Sequence, residues 1–564
     1  MLTRLGPMLA IGLLTAPVAF GLAGTVLPAF GYLPALGGME FGLAPFAMLF
    51  AEPAILMSAL MSLVTGLVTA AISLTAVMLF TAAWGGTRLF ARIQHLISPL
   101  LSLPHAASAF ALAFLIAPSG MFARLISPEL TGWERPPDLL IVHDPLGLSM
   151  MSGLIVKEIP FLLLVTLAAL PQVKPARTRA LIASMGYGRI SGFVFGLWPS
   201  IYPQIRLPVF AVIAFATSVV DVAAILGPTT PAPLAVRLVN WMNDPDLSRR
   251  FLASAGAMLQ LGVTAAAILI WIGFEKLGAR LRDRMACAGK RLRRDRVLRW
   301  GALAVMLASA GAIFIGLLAL GLWSVAGLWQ YPDLLPARFD LRNWMRVMPN
   351  LVEPLTTTLF VAFVSTLIAV AIAILCFVRE DETGRPARGT LALLYLPLLV
   401  PQVAFLFGLQ LLFILTDVEA TLAALVFTHL VPSCCSSAAQ PQKSLARLRP
   451  AVRSDRGGAR QGTGAALLPY PPAHAGAAAS CRCGHRLLGV GGALSAHAAD
   501  WCGAADDNHH GGGGACFRWQ SPRDRHLCLH ANGLAGGGLC RCHHRTGADI
   551  PPLSRHACLN GNGI

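Results

Sequence analysis

"LPHAASAFALAF" (Leu103–Phe114) and "VPQVAFLFGLQL" (Val400–Leu411) follow one pattern. In each, a proline opens an Ala- and Phe-rich apolar stretch directly after a polar loop. The two lie about 300 residues apart, and each is the third apolar span of a series. Likeness repeated in order at such a period predicts two parallel copies of one membrane unit, related by a pseudo-two-fold axis and forming a pore from a single chain.

Working outward, apolar runs fall near Met8–Ala29, Ala54–Ala83, Ile97–Ala117, Leu146–Leu170, Arg206–Leu226 and Phe251–Phe274. A second series falls near Trp300–Leu328, Leu351–Val378, Leu391–Leu415 and Ala420–Val431. Runs of about 20 apolar residues match a bilayer core, where backbone groups must pair among themselves, so each is read as a helix. The composition agrees: 55% of residues are hydrophobic, 13% are charged, and mean hydropathy is +0.65. The fold expected is an all-α polytopic membrane protein with about ten spans. The first span is too long for a cleavable leader and lacks a small-residue cleavage pattern.

A net charge of +17 would suggest nucleic acid in a soluble protein. Here the positive charge gathers in loops, as the positive-inside rule requires, and no nucleic-acid partner is expected. The densest run, "EKLGARLRDRMACAGKRLRRDRVLR" (Glu275–Arg299), is assigned to the cytoplasm. Counting spans from it places the Arg88–Arg92 and Lys174–Arg206 loops on the same side, with the N-terminus. The Ser119–Asp144 and Gly227–Arg250 loops fall outside.

The polar loop "ARTRALIASMGYGRISGFVFGLWPSIYPQIRLP" (Ala176–Pro208) holds Ala183, Gly186, Gly188 and Arg189, and Pro199 follows Gly186 by thirteen residues. The spacing predicts a short helix stopped at a left-handed glycine, then a second short helix running to a proline that forces re-entry to the membrane. A compact knob results, shaped to sit in a cleft of another subunit. The loop resembles the cytoplasmic coupling loop of ABC importer permeases, although it lacks that motif's glutamate and has Trp198 where leucine is usual. The stretches "FLIAPSG" (Phe114–Gly120), "LTGWERPPDL" (Leu130–Leu139), "KEIPFLLL" (Lys157–Leu164), "RLPVFAVIAFATSVVDVAAILGPTTPAPLAV" (Arg206–Val236) and "NDPDLSRRFLA" (Asn243–Ala253) are more specific. Together they resemble the fused two-repeat permeases of binding-protein-dependent, putative-thiamine (Ynj-type) ABC importers, from the N-terminus to about Val431.

That resemblance implies an ABC ATPase subunit in two copies, one for each coupling loop, and a periplasmic solute-binding protein. It also implies a bacterial inner-membrane location, no cofactor and no catalysis by this chain. No phosphate-cradling GxxxxGK[ST] loop occurs, so ATP hydrolysis would belong to the partner. The domains read as a first span and periplasmic loop (1–53), a first permease repeat (54–275), a basic cytoplasmic linker (276–298), a truncated second repeat (299–431) and a tail (432–564).

Ionisable residues inside spans need a reason, since each costs about 2.5–3.5 kcal/mol at a helix centre on insertion scales. His105, Lys157, Glu158 and Asp221 are such residues. They are candidates either for interhelical pairs that hold the bundle or for groups on the translocation path.

After Val431 the chain changes character. Ten of the twelve cysteines and ten of the fourteen histidines lie there, among Gly, Ala, Arg and Pro. "DDNHHGGGGACFRW" (Asp506–Trp519), Cys481, Cys483, Cys540 and Cys542 suggest a metal domain, but their spacing fits no standard zinc pattern. A shifted reading frame accounts for the tail differently. With each codon begun one base later, synonymous codons allow Ser454–His474 to encode a loop with glycine and proline at the same gap as Gly186 and Pro199. The same shift allows Gly533–Arg555 to encode an apolar span. On this reading the tail is out of frame, holds no metal and is irregular, and the second coupling loop is lost. The rival is a membrane-anchored metal-binding or sensor protein with a genuine tail.

Overall fold

The computed structural model describes residues 2–439, apart from 174, 290, 292, 384–396 and 419–420, together with 514–519 and 525–530. The helices are α1 (Leu2–Ala29), α2 (Ala44–Ala51), α3 (Ile55–Trp84), α4 (Arg88–Ile97), α5 (His105–Ile116) and α6 (Met121–Ile126). They continue as α7 (Leu148–Ala169), α8 (Pro175–Ser184), α9 (Arg189–Gly192), α10 (Trp198–Ser218), α11 (Asp221–Leu226), α12 (Leu234–Met242) and α13 (Arg249–Cys287). The second half supplies α14 (Arg296–Ser324), α15 (Arg342–Thr383), α16 (Gln402–Leu415) and α17 (Leu422–Ala439). Eight helical stretches among the described residues are long and apolar enough to cross a membrane; the apolar parts of α16 and α17 are shorter. The chain is an all-α polytopic membrane protein.

Its surface is inside-out by the standards of water. Leu269 and Leu318 are 67% and 74% exposed, whereas Ser58, Ser62, Thr65, Thr69 and Ser73 line a buried face of α3. Lipid supplies no hydrophobic drive between helices, so small residues take the interfaces and large apolar ones face outward.

The packing repeats. α14, which opens the second half, lies on α5, α3 and α7 of the first half. α1, which opens the first half, lies mainly on α16 and α15 of the second, and also on α13 of its own half. The opening helices are exchanged between halves, and α3 on α7 has its counterpart in α15 on α17. The close contacts correspond too. A Cβ on Gly316 of α14 would meet the Ala111 carbonyl oxygen at 2.7 Å, and one on Gly24 of α1 would meet Gly408 Cα at 2.8 Å. Ala111 and Gly408 hold the same place in "LPHAASAFALAF" and "VPQVAFLFGLQL". Small residues at these crossings let the backbones touch.

Polar contacts gather at two ends of this bundle. At one, Trp84 Nε1 donates to the Arg299 carbonyl at 3.0 Å, and Arg179 and Arg189 donate to the Gly85 carbonyl at 2.7 and 3.4 Å. The segments around 85, 175–206 and 288–299 therefore share an end, as the charge count predicts. At the other, Arg124 donates to the carbonyls of Gln330 and Asp333 at 2.7 and 2.8 Å, and its guanidinium lies over Trp323, Trp329 and Tyr331. This clasp joins the outer loops of the two halves.

At that outer end Asp144 accepts from the backbone N–H groups of Leu148 and Ser149, at 2.7 and 2.9 Å, at the start of α7. Burial opposes the charge, but these hydrogen bonds and the Ser149 hydroxyl outweigh it and hold the carboxyl below its ordinary value.

Two boundaries differ from expectation. The third span is not one helix from Ile97: a 3-10 turn covers Ser98–Ser102, the chain breaks at Leu103–Pro104, and α5 begins at His105. The fifth span ends at Ser218, so Asp221 does not lie deep within a helix but opens the short α11.

The second unit, Gly462–Ile564, is described only at Gly514–Trp519 and Arg525–His530. These form an antiparallel two-stranded hairpin that sets Cys516 opposite Cys528 and Arg518 opposite His526. The sequence reading expects no regular element there; the alternating Ala-Cys-Phe-Arg-Trp and His-Leu-Cys-Leu-His stretches have the period of a strand. Cys481, Cys483, Cys540, Cys542 and the remaining tail residues of the proposed metal cluster lie outside the described residues.

Candidate functional site

The Gly85 end of the first half, which the loop charge assigns to the cytoplasm, carries the knob. α8 ends in a Schellman motif: Gly186 N–H bonds the Ala183 carbonyl at 3.0 Å, and Tyr187 N–H reaches back to the Ile182 carbonyl at 3.4 Å. Gly186 has φ +82°, a left-handed conformation costing other L-residues about 1–2 kcal/mol. Gly188 precedes α9 with φ −65°, so its backbone has no need of glycine. Ile182 folds down from α8 against Gly192, where a Cβ would approach its Cγ2 to 2.6 Å, and against Gly196 one turn on. Two glycines thus form the seat that lets the two short segments close on each other.

Each residue singled out in this loop has a place. Ala183 and Arg189 are exposed, Gly186 makes the turn, and Gly188 opens α9. Pro199 does not end a helix. A π-helical turn, Phe193–Leu197, leads directly into α10, and Pro199 occupies the first turn of that helix. Arg179 and Arg189 converge on the Gly85 carbonyl; burial first, then the Arg189 charge, draws the Arg179 guanidinium below its ordinary pKa.

The linker is the part of the site that sequence reading missed. Arg293 Nε donates to the Gly186 carbonyl at 3.0 Å. The Arg291 carbonyl accepts from Gly188 N–H at 3.3 Å and from the Ser191 hydroxyl at 3.0 Å. The Asp295 carboxylate accepts from Ile190 N–H at 3.2 Å. A basic run reads in sequence as a solvated loop, and nothing in its composition marks these contacts.

No ion pair joins the intramembrane groups to one another among the described residues. Lys157 is buried, and its ammonium donates to the carbonyls of Leu100 at 2.8 Å, Leu101 at 3.3 Å and Leu103. Those carbonyls lie where the third span breaks, and a broken helix survives at membrane depth only when such groups find partners. The ammonium serves the break rather than an ion pair with Glu158, which is also buried. His105 packs at a tilt against Phe215 with centroids 4.6 Å apart, and its Nδ1 has no partner among the described residues. Lys157→Met should remove this donor from the Leu101 and Leu103 carbonyls and leave the Leu100 carbonyl with only its 3.4 Å bond from Leu103 N–H, at about 1–3 kcal/mol for each group left unpaired. Thermal unfolding in detergent should show a large loss for Lys157→Met and a smaller one for Lys157→Arg; an unshifted transition in both would remove the capping role.

Among the described residues no group of three His, Cys, Asp or Glu side chains could hold a metal ion. No protein-family model matches the chain. It is similar to the inner membrane ABC transporter permease protein YnjC of Escherichia coli (strain K12). Identity is 28% over 388 residues, which is 68% of this chain and 67% of the relative. The likeness is to a permease.

Proposed function

We propose that this chain is the membrane-spanning permease subunit of an ATP-driven ABC importer in a bacterial inner membrane. It would pass a small solute, delivered by a soluble binding protein, along the interface of its two halves. The observation that carries this reading is the glycine-closed knob at the inner, positively charged end of a bundle whose halves exchange opening helices. The similarity to an ABC permease supports it. The knob of α8 and α9 is the contact for one copy of an ATPase; a second copy needs a second loop, and the reading assigns that loop to the shifted frame. ATP-driven movement of the knob would tilt α10, which continues from it without a break.

The topology has a direct test. A cysteine at Gly188 should react with an impermeant thiol reagent in inside-out vesicles and stay unlabelled in intact cells. Labelling from outside would overturn the assignment of the knob to the ATPase side.

The hairpin register that sets Cys516 opposite Cys528 keeps a genuine tail as the second reading. Zinc retained in a one-to-one ratio by the purified full-length chain would favour it. Resequencing the gene across Val431–Ser454 decides between the two; we expect one base to be gained or lost there.

A further inference from the structure

The linker is bound to the knob more closely than a tether needs to be. Asp295 stands at the position that would cap α14, yet its carboxylate accepts the Ile190 N–H in the first turn of α9 instead, and the residue is only 9% exposed. The Gly186 carbonyl, the Gly188 N–H and the Ser191 hydroxyl are likewise satisfied by Arg293 and Arg291. A one-turn helix and a left-handed turn leave such groups open, and here a segment about 100 residues away in sequence closes them.

The outward side of the assembly is amphipathic. Leu181 on α8 and Met185 just past its end are 38% and 53% exposed, and Arg177, Arg189, Arg291, Arg293 and Arg294 of the same knob and linker are exposed. We propose that knob and linker form one composite docking element, with Asp295 as its positioning residue, that fits an ATPase groove with an apolar floor and an acidic rim. This rests on the reading of the knob as the ATPase contact. It adds that the linker arginines contact the same partner, and that movement of the knob passes through Asp295 into α14, which lies on α3, α5 and α7. Charge complementarity selects the partner surface: a rim of arginines beside two apolar side chains calls for carboxylates around an apolar pocket.

The test uses the full-length chain in detergent and in membranes with a co-expressed ABC ATPase subunit. Asp295→Ala should speed amide exchange across 186–192 about tenfold, the size of a lost helix cap, and leave 325–340 at the outer end unchanged. Asp295→Asn keeps an acceptor oxygen and should restore most of the protection. Arg291→Gln with Arg294→Gln should weaken ATPase capture several-fold and flatten its dependence on salt. Unchanged exchange in Asp295→Ala, or capture indifferent to salt and to the arginine changes, would overturn the composite element. If Gly186→Leu abolishes capture while the linker variants do nothing, the linker proposal alone falls. If Gly186→Leu leaves capture intact, the reading of the knob falls with it.

Discussion

Gly186→Leu should reduce ATPase capture to background in the chain as written, and solute uptake to background once the reading frame is restored, while the protein stays folded in the membrane. The turn holds Gly186 at φ +82°, so any side chain brings backbone strain of about 1–2 kcal/mol. A Cβ there would stand 2.7 Å from Arg293 Nη2 and 3.5 Å from Arg291 Nη1. Arg293 is flexible and can withdraw, but withdrawing breaks its bond to the Gly186 carbonyl. The chain must then either keep a strained turn with a leucine where the partner sits, or unwind the Schellman bonds that end α8. Both outcomes spoil the knob, and neither reaches the spans, whose packing lies elsewhere. Gly186→Ala should fall between wild type and leucine, because it adds the strain with the least bulk. Co-purification of the ATPase and uptake into vesicles measure the effect; wild-type capture by the leucine variant would end the coupling assignment.

How much of this was legible in sequence depends on whether a feature is local. Apolar runs long enough for a bilayer announce their helices, and the matched stretches at Leu103 and Val400 announced the repeat. Gly186 was legible because a glycine closing a short helix is a local rule. The features that escaped are set by distant partners. Leu103–Pro104 breaks a span because Lys157, on another helix, stands ready for the carbonyls at the break. Asp295 looks like an ordinary helix cap, and only the fold shows that it caps the wrong helix. Pro199 misled in the opposite direction: proline near the start of a helix fits as well as proline after its end, and the sequence does not say which side of the boundary it occupies. Asp221 was placed too deep because an apolar run hides the turn at Val219–Val220 that divides it.

Restoring the reading frame between Val431 and Ser454 should give the largest gain of any change, from background uptake to a rate at least about tenfold above it. The described halves explain why. In the first half α3 is packed by α7, α10, α13 and α14. Its counterpart α15 lies mainly on α1 and α17. Half of α3's apolar stretch is buried, against 22% of α15's. Leu359, Phe363 and Leu367 of α15 are 61%, 70% and 59% exposed on a face that the symmetry of the bundle would cover. The helices that would do so are the counterparts of α10 and α13, and between those two the first half also carries the outer segments α11 and α12. One shift in frame supplies both an apolar span for that face and a second glycine-to-proline loop, so burial and coupling should return together. Two measurements follow that change. The corrected chain should melt at higher temperature in detergent than the chain as written, because α15 gains partners. It should also retain two ATPase copies where the chain as written retains at most one. A corrected gene whose product binds no second ATPase, melts no higher and transports no faster would show that the tail is the protein's own, and would return the Cys- and His-rich segment to consideration as a metal site.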